Sequence, residues 1–224
     1  MTTTATPPAT STGTGRAPGR LGGAAGIAFV VLALAGNSLT GGGVDSAAPS
    51  EAHAAEVVRR TADAAWRAGT ALELVAFLAL LVFSAALARR IRLSEPREGY
   101  LGLTVLAAGT LLAAVKLASG SALYAADRRA GELDGDLARL LTDLNDASFA
   151  LSFVPLGLLL GAAAVAALAH GALPRALGWT GVPVAVLLVA AASTGADAVP
   201  VPFLLALVWL VATGVVLLRR PNAS

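Results

Sequence analysis

Cysteine is absent from the 224 residues, which excludes disulfides, thiolate metal sites and cysteine nucleophiles and leaves the redox compartment open. Charge is scarce: 13% of residues are charged, against ~25% in an average soluble domain, too few to cover a globule with polar surface. The net charge is only +2, so no nucleic-acid partner is expected. No Gly-rich phosphate loop, nucleophile elbow or HExxH pair is found, and with them go the usual grounds for expecting a cofactor, a metal or a catalytic residue. Lysine occurs once, at Lys116, beside fifteen arginines.

Apolar residues make up 56% of the chain, and the mean hydropathy is +0.75. They fall in blocks of about 18 to 25 residues, the length that crosses a ~30 Å hydrocarbon layer at 1.5 Å per residue. The sequence therefore predicts an all-α polytopic bundle, with lipid as its principal partner. Six spans are expected, at about 21–40, 69–90, 100–123, 147–170, 176–192 and 201–218. Residues 1–20, rich in Thr, Pro, Ala and Gly, read as a disordered tail, and 221–224 as a C-terminal tail. A signal peptide is the rival reading of the first block, because Ala33-Leu34-Ala35 before Gly36 resembles a cleavage site. The long uncharged leader and the apolar continuation to Leu39 favour a retained helix.

Between Ser50 and Arg92 there is no proline and one glycine, Gly69, so a single helix of about 43 residues is expected. Its first half is amphipathic and should lie outside the membrane, leaving the bilayer at Trp66. The segment GDLARLLTDLND reads as a helix entering the fourth span, which Pro155 should kink rather than end. Trp179 reads as an interfacial anchor and Trp209 as a packing residue within the last span.

With six spans, both termini and the loops at 89–98 and 171–178 share one side. That side carries nine arginines (Arg16, Arg20, Arg89, Arg90, Arg92, Arg97, Arg175, Arg219 and Arg220) against two acids, Glu95 and Glu98. The other side carries six arginines against eleven acids. Positive residues near span ends stay cytoplasmic, so the expected location is an inner cell membrane with both termini inside.

Two ionisable residues fall where lipid should be. Glu73 lies 16 residues before Arg89 and Lys116 lies 16 after Tyr100, so both sit ~24 Å from the cytoplasmic interface on adjacent antiparallel helices. A charge facing hydrocarbon there costs at least a few kcal/mol, so each should turn inward and seek a partner. Asp143 and Asp146, three apart on one helix face above that level, complete a candidate polar pocket or ion pair with Glu73 and Lys116. Such a pair commonly serves only to fix helix packing. Lysine rather than arginine at 116 leans towards function, because an ammonium can lose its proton.

Weaker signals have structural explanations. His53 and Glu56 have one-turn spacing but no second ligand pair, and His170 suits a helix C-terminus. Gly22-x-x-x-Gly26 and Gly157-x-x-x-Gly161 permit close helix approach within a bundle.

From Glu56 to Leu188 the layout resembles a family of small bacterial, actinobacterial-type multi-pass membrane proteins carrying a domain of unknown function. The likeness rests on an outer helix running into a span, on LARLLTDLNDASF, and on LPRALGWTG at 173–181. It implies fold and location and carries no activity or functional residue. The function expected is a carrier or sensor of a small molecule or ion with an outward-facing polar pocket. The alternative is a structural or interaction subunit of a membrane complex, with a membrane-embedded enzyme behind both. Oligomeric state is not encoded in any pattern found.

Overall fold

The computed structural model of the protein describes residues 17–40, 48–129, 132–194 and 200–219. The predicted tail up to residue 16, most of the linker 41–50, the loop around Asp197 and the C-terminal tail lie outside the described residues. The described chain consists of helices α1 (Ala17–Thr40), α2 (Ser50–Ala62), α3 (Ala64–Ser94), α4 (Leu101–Arg128), α5 (Gly135–Leu151), α6 (Phe153–His170), α7 (Arg175–Thr194) and α8 (Pro200–Arg219). No strand is found among the described residues.

Among the described residues, six helical stretches are long and apolar enough to cross a membrane: α1, α3, α4, α5 with α6, α7 and α8. Helices are the only open-ended solution for such sequences, since lipid offers no partner to an exposed N–H or C=O. Each span packs on the next in chain order, and α1 closes the ring onto α8. Phe83, Leu87, Phe153, Leu159, Leu188 and Leu210 fill the core. Leu78, Leu103, Leu158, Val186 and Val208 face outward, the apolar exterior that a bilayer requires.

Glycines set how closely the spans cross. A Cβ at Gly22 or Gly26 would collide with Ala86 or Phe83 of α3, and one at Gly157 would meet Val189 of α7 at 2.8 Å. Both GxxxG pairs thus lie at crossings inside the bundle. Gly23 approaches Gly214 and Leu218 of α8, which brings the start of α1 to the end of α8. At the same end of the bundle, Arg90 donates to the Ala172 carbonyl at 2.6 Å, joining α3 to the loop after α6.

Two features differ from the sequence expectation. Residues 17–20 are the first turn of α1 and not part of a tail. The 43-residue helix is broken at Asp63, whose backbone is extended (φ −86, ψ 115). No proline or glycine causes this break. The Asp63 carboxylate accepts from the Ala65 amide at 2.8 Å, capping α3 in the way that makes aspartate favour helix starts. The outer helix α2 therefore leads into the second span through a corner.

The fourth span is irregular at Ser152, one turn before Pro155, but its backbone stays helical there (φ −63, ψ −16) and the span runs on from Gly135 to His170, disturbed and not ended as expected. Proline has no N–H to give the Leu151 carbonyl and its ring crowds that group, so the disturbance falls at 151–152. Ser152 stitches the gap: its amide donates back to Ser148 and Phe149, and its hydroxyl donates to Phe149 O at 2.6 Å.

At the end opposite the Arg90 contact, α2 and α5 pack together on a small core of their own, formed by Val57 and Ala138 with Ala54, Leu133 and Leu141 around them. This pair packs against α3 and α4. Trp66 is buried, at 8% exposure.

Candidate functional site

Beneath the α2/α5 cover lies a cavity of about 340 Å³, lined by five helices. From α1 come Asn37 and Thr40, and from α2 comes Arg60. α3 contributes Trp66, Thr70, Glu73 and Phe77, and α4 contributes Lys116, Ser119 and Tyr124. The α5 wall is Thr142, Asn145, Asp146 and Phe149.

Three of the four expected site residues, Glu73, Lys116 and Asp146, are brought to this one cavity. The fourth, Asp143, points elsewhere and stands 4.0 Å from Arg139 in a solvent-exposed pair. A direct contact between Glu73 and Lys116 does not form: no salt bridge joins them among the described residues. Glu73 Oε1 accepts instead from the Thr40 hydroxyl at 3.2 Å, and that hydroxyl also faces the Gly36 carbonyl at 3.1 Å. Lys116 Nζ lies 5.1 Å from the centre of the Phe149 ring, a cation–π distance. Glu73 and Asp146 are the carboxylates that line the cavity with this ammonium.

The separation has a geometric cause. Gly36 and Gly69 let α1 and α3 approach until each glycine meets the other's carbonyl, and Glu73 is drawn against α1 there. On the other side, Phe149 is held edge-on by Phe153 and Phe203 at 5.1 and 5.7 Å, giving Lys116 a fixed aromatic face. Acid and amine are thus each tethered to a different wall.

Arg60, Asn37 and Thr40 were not among the expected residues. Arg60 is 8% exposed and its Nε donates to Glu56 at 2.9 Å. Glu56 also takes two hydrogen bonds from Arg59, and these, with Arg60, hold its carboxyl below the usual carboxylate range despite partial burial. The legible signal was the i, i+4 spacing of Glu56 and Arg60 on an amphipathic helix; Asn37 and Thr40 share a face of α1 by their i, i+3 spacing. At the far end of α4, burial pushes the Asp127 carboxyl up to about 6, with Arg60 opposing the rise.

His53 is not part of the cavity. It is buried on α2 with no hydrogen-bond partner for either ring nitrogen, and Glu56 has turned to the arginines. Among the described residues no cluster of three metal-ligating side chains occurs. His170 ends α6 before Gly171, which takes the left-handed conformation (φ 67) that closes the helix. Trp209 packs as expected and also donates to the Leu177 carbonyl at 2.9 Å.

The arrangement is a partly open chamber with both signs of charge, several hydroxyl and amide groups, and aromatic walls. The chain matches no protein-family model, no curated protein and no solved structure.

Proposed function

We propose that this membrane protein binds a small polar molecule in the α2/α5-covered cavity and acts as its carrier or sensor. One observation carries the reading: Glu73 and Lys116 face a shared space of about 340 Å³ instead of one another. A purely structural pair at this depth gains most by direct contact, because an uncompensated charge in hydrocarbon costs at least a few kcal/mol. Keeping both charges facing an open chamber is what a binding site requires. The volume is at the small end of ligand pockets, ~300–1,000 Å³.

The arginine asymmetry between the two sides favours an orientation with both termini in the cytoplasm, so the cavity opens outward. The likeness of residues 173–181 to small actinobacterial-type membrane proteins favours a bacterial inner membrane. Native mass spectrometry of the detergent-purified protein tests the function: a small molecule should co-purify and be lost in Lys116→Met. A wild-type protein that carries no small molecule, or a variant that retains it, refutes the assignment.

A second reading, an interaction subunit, has its own observation. The span formed by α5 and α6 has 36 residues, ~54 Å, so the start of α5 stands beyond a ~30 Å hydrocarbon layer. Leu137, Leu140 and Leu144 are exposed there on one face. A photo-crosslinker at position 140 that captures one defined protein in cells supports this reading, and capture of lipid alone removes it.

A further inference from the structure

The chemistry of the two tethered charges narrows the ligand class, on the premise that the cavity is a binding site. An ammonium has three donors and a carboxylate about four acceptor positions. Among the described residues no oxygen accepts a hydrogen bond from Lys116 Nζ, whose neighbour is a ring face. Glu73 receives one hydrogen bond, from a Thr40 hydroxyl whose single proton is shared with the Gly36 carbonyl. Most of the bonding capacity of both groups is therefore directed into the chamber.

The wall carries both signs of charge. Lys116 faces the chamber as a cation and Glu73 and Asp146 as anions, while Arg60 is already paired with Glu56. A ligand with separated charges of both signs meets a partner at each pole, whereas a singly charged one leaves the opposite pole unmet in a low-dielectric space. Phe77 and Phe149 line the same chamber and supply apolar surface beside the charged groups.

We propose that the cavity takes a zwitterion of amino-acid size, with its carboxylate at Lys116, its ammonium at Glu73 and an apolar side chain against Phe77 and Phe149. The ligand completes the ion pair that the walls hold apart. Binding occurs without proton transfer or bond exchange.

Three probes share one skeleton and differ only in charge: phenylalanine, phenethylamine, which lacks the carboxylate, and 3-phenylpropionate, which lacks the ammonium. Calorimetric titration of the full-length purified protein should give phenylalanine an affinity about tenfold or more above either analogue. In Lys116→Met the advantage over phenethylamine should vanish, and in Glu73→Gln the advantage over 3-phenylpropionate should vanish. A structural role for the pair would weaken all three probes together and leave their order unchanged.

Equal binding of the three probes by the wild type, or preference for a singly charged one, overturns the proposal. So does the absence of binding by all three. If that absence is accompanied by a co-purified ligand in the mass spectrum, the cavity remains a binding site and only the ligand class falls. If no ligand co-purifies, both fall. The wild-type order decides the class even where a variant does not fold.

Discussion

The floor of the cavity is set by the closest point of the α1–α3 crossing, and a single methyl group there should be felt. A Cβ on Gly36 would lie 2.7 Å from Glu73 Cγ, 2.9 Å from the Gly69 carbonyl oxygen and 3.2 Å from the Glu73 amide nitrogen. Two of those neighbours are backbone and cannot swing aside, so Gly36→Ala must push the helices apart by about half an ångström. Overpacking of this kind costs about 1–3 kcal/mol. Against it stands the better helix propensity of alanine, up to ~1 kcal/mol. Gly120→Ala isolates the two effects, because a Cβ at Gly120 meets nothing within 4 Å. Both variants gain the same propensity, so their difference in stability is the strain alone, about 1–3 kcal/mol. Equilibrium unfolding in mixed micelles, followed by the fluorescence of the three tryptophans, measures it. Gly120→Ala should be neutral or stabilising and Gly36→Ala destabilising. Equal stabilities would show that the helices do not cross as closely as described, and the tethering of Glu73 to α1 would lose its cause.

Two further outcomes are expected. Asp127 binds its proton more tightly in the folded protein, where its carboxyl is raised from 3.8 to about 6, than in the unfolded chain. Its contribution to stability is therefore fully present below 3.8 and is lost as pH rises to about 6. Asp127→Asn should flatten the dependence of melting temperature on pH across that window and melt higher than wild type above it; an unchanged slope counts against the burial. Trp209→Phe removes the indole N–H that reaches the Leu177 carbonyl and leaves a small void at a site 3% exposed. The loss should be about 2 kcal/mol by thermal melting, while Trp179→Phe, at 71% exposure, should change little; equal effects would refute the packing role.

The site was legible in part, and the limits are instructive. Spacing from the span ends put Glu73 and Lys116 at one depth because rise per residue is nearly constant in a helix. It could not fix their mutual distance, which depends on where each side chain turns. Thr40 on α1 and the Phe149 ring on α5 decide that, and neither carries a signal of its own in the sequence. Asp143 illustrates the same limit: it shares a face with Asp146 by spacing, yet stands beside Arg139 while Asp146 reaches the cavity. Arg60 entered the site because α2 folds back at Asp63, a corner made by a side-chain cap that hydropathy does not register.

Hydropathy and length by themselves determined six helical crossings, because lipid leaves each apolar block only one way to satisfy its backbone. Alternation of crossings then required the end of α3 and the loop after α6 to meet at one end, as the hydrogen bond from Arg90 to Ala172 records. Only the tertiary structure decided what the polar residues do. How far a helix turns about its axis, and which neighbour it touches, follow from glycine contacts such as Gly36 on Gly69 and from the break at Asp63. Those are short-range steric terms between distant segments, and a reading along one chain contains no measure of them.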